Sequence, residues 1–134
     1  MFLRVYRIFQ RYADCHVMIR RAGFALQDAK GAPVGRVDSY VLKQNRLHIG
    51  GWSEAARIGL EIDRIQGWIT PEVSRPGSSE KGFQLDIPFR AGTPKVQIEK
   101  GGQTNEQMLA PFTPAQIRRA RNRLWPRFVA DVLG

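Results

Sequence analysis

The sequence predicts a mostly β fold: an antiparallel β-sandwich flanked by amphipathic N- and C-terminal helices. Short segments with alternating or β-branched residues recur at intervals of roughly ten residues through the middle of the chain, which is typical of antiparallel strands. Both ends show helical periodicity instead. The 134 residues suit one domain. We divide them into an N-terminal basic helix (1–22), a sandwich (23–112) and a C-terminal basic helix (113–134).

The composition excludes several classes of protein. Hydrophobic residues make up 43% of the chain, but no apolar run approaches the roughly 20 residues of a membrane-spanning helix. Arginines interrupt the N-terminal segment where the apolar region of a signal peptide would lie. A single cysteine excludes an internal disulfide framework and a multi-cysteine zinc site. We therefore expect a cytoplasmic protein, either free or attached peripherally at the inner membrane.

The net charge of +9 is concentrated at the two ends of the chain. Residues 1–21 carry five arginines and one aspartate, and residues 113–134 also carry five arginines and one aspartate, so each end has a net charge of +4. The middle of the chain is nearly neutral. An anionic partner is therefore expected to contact the ends.

The N-terminal segment reads as a helix over about residues 2–20. Arg4, Arg7 and Arg11 fall in one narrow stripe at 100° per residue, and aromatic residues such as Phe9 lie on the opposite face. Three interpretations remain open at this point. The helix packs on its own domain, lies in a membrane surface with its arginines near anionic headgroups, or is a mitochondrial presequence.

The middle of the chain predicts about seven short strands separated by turn residues. Gln44-Asn45 and Lys100-Gly101-Gly102 are turn sequences, and 74–81 is a polar loop. Little helix is expected between the strands, which favours an antiparallel sandwich or barrel over a parallel α/β sheet. Six of them have bounds in the sequence: Gly35–Leu42, Arg46–Trp52, Arg57–Ile62, Gln66–Val73, Gly82–Ile87 and Lys95–Glu99.

The C-terminal segment returns to helical periodicity. Thr113, Pro114 and Gln116 form an N-cap, a proline at the first helical position and a capping-box partner. Pro126 predicts a kink or restart near Leu124-Trp125. The basic residues of both helices are the candidate anion-binding set: Arg4, Arg7, Arg11, Arg118, Arg119, Arg121 and Arg123.

No motif points to catalysis, a cofactor or a metal. His16 and His48 have no second histidine or acidic group at ligand spacing, and a lone histidine makes neither a zinc site nor a triad. Cys15 and His16 are adjacent on a helix, where neighbouring side chains do not face each other. Phosphate-binding and dinucleotide-binding glycine motifs are absent from the sequence. We predict a protein that is not an enzyme and holds no cofactor or metal.

Two Gly-Trp pairs, Gly51-Trp52 and Gly67-Trp68, lie in predicted strands. One interpretation packs each tryptophan across the sandwich, with its glycine neighbour giving the ring room. The other presents a flat apolar ring outward, where it could stack on a sugar. Trp52, Trp68 and His48 are accordingly the candidate carbohydrate-binding residues.

Residues 35–88 carry an ordered set of short motifs. They are Gly35-x-Val37-Asp38, Gly51-Trp52-Ser53, a strand through Ile58–Ile62, Arg75, and Gly82-Phe83-Gln84-Leu85-Asp86-Ile87-Pro88. This order resembles the small immunoglobulin-like (Ig-like) β-sandwich modules attached to bacterial glycosyltransferases and other surface-polysaccharide proteins. The chain departs from that pattern where Pro76-Gly77-Ser78-Ser79 replaces the usual aspartate after the arginine, and it contains no glycosyltransferase catalytic region.

The resemblance implies an Ig-like, non-catalytic accessory module in which Trp52, Arg75 and Phe83 hold the sandwich together and Arg75 tethers the loop. We therefore predict an accessory or interaction protein of bacterial cell-surface glycan assembly. Its basic helices would attach it to a partner protein or an anionic membrane surface, with a glycan as a further ligand. The alternative is a nucleic-acid-binding protein that places the arginines of the C-terminal helix along phosphates and stacks Trp125 on a base.

Overall fold

The computed structural model describes residues 2–134, so Met1, the first residue of the predicted segment 1–22, lies outside the described residues. The fold is mostly β, with two antiparallel sheets around one apolar core, as the sequence predicted. The helices are α1 (Phe2–His16), α2 (Pro114–Asn122) and α3 (Trp125–Phe128), and a π-helical turn (Val129–Leu133) follows α3. The strands are β1 (Met18–Arg21), β2 (Phe24–Gln27), β3 (Pro33–Lys43), β4 (Arg46–Ser53), β5 (Arg57–Ile62), β6 (Ile65–Ile69), β7 (Val73–Ser74), β8 (Lys81–Pro88), β9 (Lys95–Lys100) and β10 (Gln103–Met108).

The two sheets have simple antiparallel orders. The first sheet runs β1-β3-β4-β8-β7, and β2 also pairs with β3. With 11 residues, β3 is long enough to pair with β1 through Tyr40–Lys43 and with β2 nearer its start. The second sheet runs β10-β9-β5-β6. Together the sheets form a sandwich-like arrangement in which the chain crosses from the second sheet to the first between β6 and β7.

The core lies between the sheets because side chains alternate along the strands. Leu47 and Ile49 of β4 are buried there, and Ile58 and Leu60 of β5 enter the same cluster from the second sheet. His48 lies between Leu47 and Ile49 in the sequence and therefore belongs to the outer face of the first sheet. This alternation decides which side chains the outer faces present to ligands.

Tight turns set the register of three strand pairs. Gln44 and Asn45 both have positive φ, at 51° and 60°, as the two-residue turn of a β3–β4 hairpin requires. Gly101 and Gly102 also have positive φ, and they form the two-residue turn between β9 and β10. The sequence predicted both turns. The turn between β5 and β6 uses Asp63 and Arg64 at positive φ, without glycine or asparagine to mark it.

The predicted strand Gln66–Val73 is wrong, because the structure divides it between the two sheets. β6 ends at Ile69, and the next strand residue is Val73 of β7, which pairs with β8. Pro71, between them, is buried and has no N–H group to donate to a ladder. The crossing segment therefore passes to the first sheet instead of extending β6.

The predicted N-terminal helix is too long. α1 ends at His16, and Met18–Arg21 pairs with β3 as an outer strand of the first sheet. The change follows from Ile19, whose β-branched side chain suits a pleated sheet and packs against the sandwich core. The predicted segment 1–22 thus contains a helix and a strand.

The helices at the two ends of the chain pack on each other. Phe9 and Ala13 of α1 form a second, smaller apolar cluster with Phe128 of α3, and all three are buried. We call α1, α2, α3 and the π-helical turn together the helical pole. As predicted, Thr113 and Gln116 form a capping box at the start of α2, and the helix is interrupted before Trp125.

Candidate functional site

An open groove of about 710 Å³ lies beside the crossing between β6 and β7. Both candidate tryptophans, Trp52 from the first sheet and Trp68 from the second, line this groove. The polar side chains of Asp38, Glu72 and Gln84 line it as well. We call it the tryptophan groove. It combines aromatic surface with hydrogen-bonding groups.

The Trp52 ring is held against the first sheet. Gly82 is its cross-strand partner, and a Cβ atom added at Gly82 would lie 3.3 Å from the ring. The guanidinium carbon of Arg75 lies 5.0 Å from the Trp52 ring centroid, within cation–π distance. Arg75 belongs to the polar loop after β7, so this contact ties the loop to the sheet.

The Trp68 ring repeats this arrangement on the second sheet. Its cross-strand partner is Gly59, where an added Cβ atom would lie 2.9 Å from the ring. The guanidinium carbon of Arg57 lies 4.5 Å from the ring centroid. A sugar that stacked on either tryptophan would therefore compete with an arginine for the ring.

The glycines that give the rings room are across the strands, not beside the tryptophans in the sequence. A Cβ atom at Gly51 would collide with the Arg36 carbonyl oxygen at 1.9 Å, so Gly51 serves the close approach of β3. At Gly67 it would meet Ile87 at 2.8 Å, on the core side of β6. The interpretation of Gly51 and Gly67 as space for their own tryptophan neighbours is wrong.

Replacing Trp68 with alanine is expected to lower the free energy of unfolding by about 2 kcal/mol, because a half-buried ring that covers Gly59 is lost. Chemical denaturation of the full chain measures the change. The control Arg57→Gln keeps the Trp68 ring but removes the cation–π contact and the exposed ion pair of Arg57 with Glu99, and it should cost no more than about 1 kcal/mol. An unfolding midpoint that is unchanged in Trp68→Ala would show that the ring does not stabilise the β5–β6 pair.

His48 is not among the residues that line the tryptophan groove. It lies on the same strand as Trp52, with Asp86 as its cross-strand partner on β8. Its Nε2 atom is buried and has no hydrogen-bond partner in the described part of the chain. Burial lowers the pKa of His48, a shift that Asp86 opposes and that Lys43 and Arg46 reinforce.

This lowered pKa predicts a stability that declines in acid. The unfolded histidine takes up a proton as the pH falls through about 6.5, before the folded one does, so protonation favours the unfolded state. The free energy of unfolding should therefore fall between pH 7 and pH 5. In His48→Gln this decline should be smaller, and an identical pH dependence in both proteins would contradict the assignment to His48.

The arginines of the helical pole are mostly free of ion pairs. Among the described residues, acidic side chains pair with only two of the arginines in α1, α2 and α3: Arg121 and Arg127. The remaining arginines of these helices, and Arg123 directly after α2, are exposed: Arg4, Arg7, Arg11, Arg118, Arg119 and Arg123. Six of the seven candidate anion-binding residues are therefore available to an external anion.

Arg121 joins the two ends of the chain. Its guanidinium donates to Asp14 of α1 at 2.6 Å and also to the backbone and side-chain oxygens of Gln10. Only 22% of its side chain is exposed. Its charge therefore stabilises the packing of α2 on α1.

Trp125 also contributes to this packing. Its ring meets Phe9 edge-on with centroids 5.2 Å apart, and the Phe128 ring lies 5.4 Å away. The ring is still 43% exposed. A base stacking on Trp125, as the nucleic-acid alternative requires, would meet a ring already packed on one side.

None of the helices within residues 2–134 is long and apolar enough to cross a bilayer. In the same range, no three His, Cys, Asp or Glu side chains converge as metal ligands. Comparison of the chain with protein-family models, with curated proteins and with solved structures gave no match.

Proposed function

We propose that this chain is a non-catalytic accessory protein of bacterial cell-surface glycan assembly, attached to an anionic membrane surface by its helical pole. The observation that supports the attachment is that unpaired arginines and exposed apolar side chains occur together on the helices. The glycan context comes from the resemblance of residues 35–88 to Ig-like accessory modules, and it is supported by the aromatic and polar lining of the tryptophan groove.

The exposed apolar side chains are concentrated in the helical pole. Ten large apolar side chains are exposed in the described part of the chain, and seven of them belong to the helices. These seven are Leu3, Tyr6, Ile8, Trp125, Val129, Val132 and Leu133. A helix that lies in a membrane interface presents this combination of apolar and arginine side chains.

α1 shows how the two kinds of side chain are arranged. Phe9 faces the small cluster of the helical pole, so Arg4 and Arg11 point away from it at 100° per residue. The exposed side chains of Leu3 and Ile8 flank this arginine stripe. Near an anionic leaflet each arginine contributes about 1 kcal/mol, so several together suffice for reversible attachment.

The tryptophan groove is the proposed glycan site. Asp38, Glu72 and Gln84 offer acceptors and a donor for sugar hydroxyl groups, and the tryptophans offer apolar surface. Binding of neutral oligosaccharides on a glycan array tests this. The signal should be lost in the double variant Asp38→Ala, Gln84→Ala, which leaves both rings in place, and an unchanged signal would contradict a groove site.

Co-sedimentation of the full chain with vesicles tests the attachment. Vesicles that contain phosphatidylglycerol should bind the protein at low ionic strength, and phosphatidylcholine vesicles should not. Added salt should weaken the binding because it screens the arginines. Equal, negligible binding to both vesicles contradicts the proposal. The nucleic-acid alternative would be favoured if the protein binds no vesicles but binds single-stranded nucleic acid, and if that affinity falls as the salt concentration rises.

A further inference from the structure

A pocket of about 380 Å³ lies where α2 meets β1, an outer strand of the first sheet. Four arginines line it: Arg20 and Arg21 from β1, Arg119 from α2 and Arg123 at the end of α2. No aspartate or glutamate is among its lining residues. We call it the arginine pocket. The fold thus brings two arginines of β1 next to two arginines that lie about a hundred residues later in the sequence.

Neutral groups hold Arg21, one of the lining residues, in place. Its guanidinium donates to the Pro111 carbonyl oxygen at 2.9 Å and to Gln116 Oε1 at 2.7 Å. Its guanidinium carbon lies 4.9 Å from the Phe112 ring centroid. The Nε atom is buried and has no hydrogen-bond partner within the described residues. The fold therefore orients Arg21, but within the described residues its charge has no acidic partner and its Nε–H group has no acceptor.

The other three arginines are exposed and take part in no ion pair within residues 2–134. Arg119 and Arg123 are four positions apart, which places them on one side of the helix. Like charges at this spacing repel each other, so without a bound anion their convergence costs free energy. An anion bound among them would remove that cost.

We propose that the arginine pocket binds a phosphate-class anion, and that a diphosphate group suits it best. Guanidinium groups match phosphate oxygens in bidentate pairs, which favours phosphate over a carboxylate or halide. Three free guanidinium groups supply more N–H donors than the oxygens of a single phosphate can accept. A diphosphate has the additional oxygens and the additional charge.

This site extends the proposed attachment without depending on it. The α1 arginines are not among the residues that line the pocket. The phosphate group that binds there could belong to a soluble ligand or to a lipid headgroup. The two sources are separated by the experiment.

Isothermal titration of the full chain with sodium pyrophosphate at physiological ionic strength tests the pocket. The unmodified protein should bind with a stoichiometry of one, and Arg119→Gln, Arg123→Gln should bind at least about tenfold more weakly. The control Lys30→Gln, Lys81→Gln removes the same charge from exposed residues of the sandwich that do not line the pocket, and it should bind within about twofold of the unmodified chain. Absence of binding to the unmodified protein, or equal weakening in both double variants, would overturn the proposal.

A parallel measurement of binding to vesicles identifies the source of the phosphate group. If the ligand is a lipid headgroup, the unmodified protein should prefer phosphatidic acid to phosphatidylglycerol at equal surface charge, and Arg119→Gln, Arg123→Gln should lose this preference. If both lipids bind equally while pyrophosphate still binds, the ligand is soluble. If the unmodified protein binds pyrophosphate but no vesicles, the proposed attachment is contradicted, whereas the proposal for the arginine pocket is supported.

Discussion

The triple variant Arg4→Gln, Arg7→Gln, Arg11→Gln is expected to bind anionic vesicles about 100-fold more weakly than the unmodified chain. All three side chains are exposed and free of ion pairs within the described residues. At about 1 kcal/mol for each arginine, their removal costs about 3 kcal/mol of binding free energy, which is two orders of magnitude in affinity. Vesicle titration at low ionic strength measures the loss.

The matched control removes the same charge from the sandwich. Lys30, Lys81 and Arg90 are exposed and form no ion pair in the described structure, so their triple replacement by glutamine lowers the net charge by the same amount. Its vesicle affinity should stay within about threefold of the unmodified value. If both triple variants lose affinity equally, the total charge governs binding, and the helical pole has no special role.

Phe128→Ala should destabilise the helical pole by about 3–5 kcal/mol, the cost typical of truncating a fully buried phenylalanine. Phe128 is completely buried, and its ring contacts Phe9, Tyr12 and Trp125, which joins α3 to α1. Hydrogen exchange of the α1 amides measures the effect, since α1 has its main apolar contacts in this cluster. Exchange there should accelerate by two orders of magnitude or more.

A conservative replacement provides the control for this prediction. Phe128→Leu keeps most of the apolar volume and should cost less than about 1.5 kcal/mol. In both variants the amides of β4 and β5 should keep their protection, because the sandwich core is a separate cluster. Exchange in α1 that is unchanged by Phe128→Ala would contradict the packing of the two chain ends on each other.

The sequence was sufficient to predict the sandwich-like middle because its strands carry strong local signals. β4 and β5 show apolar alternation, and the turn at Gln44-Asn45 has residues that tolerate positive φ. β10 was missed because its residues, Gln103–Met108, are almost all polar. Pairing with β9, not burial of its own side chains, makes this segment a strand.

The site was predicted in part. Trp52 and Trp68 were identified as candidates from their residue type, but their shared groove depends on strands from two different sheets. The glycines under the rings could not be identified, since Gly82 and Gly59 are paired with the tryptophans by register and not by proximity in the sequence. His48 was grouped with the tryptophans, and strand alternation alone does not reveal that it lies outside the groove.

The meeting of the two basic ends could not be predicted from the sequence either. Periodicity shows that each helix has an apolar face but does not indicate which surface covers it. The contacts that decide this, Phe9 with Phe128 and Arg121 with Asp14, join residues more than a hundred positions apart. The arginine pocket likewise requires α2 to meet β1, in a segment that the periodicity predicted as helix.

The most direct test of the account uses Cys15, the single cysteine of the chain, which is exposed on α1. An environment-sensitive fluorophore attached there should shift to shorter wavelength when phosphatidylglycerol vesicles are added. The same label on Cys15→Ser, Lys30→Cys reports from the sandwich and should not shift. A label on Cys15 that stays in an aqueous environment, or a shift that is equally large at position 30, would contradict attachment through the helical pole.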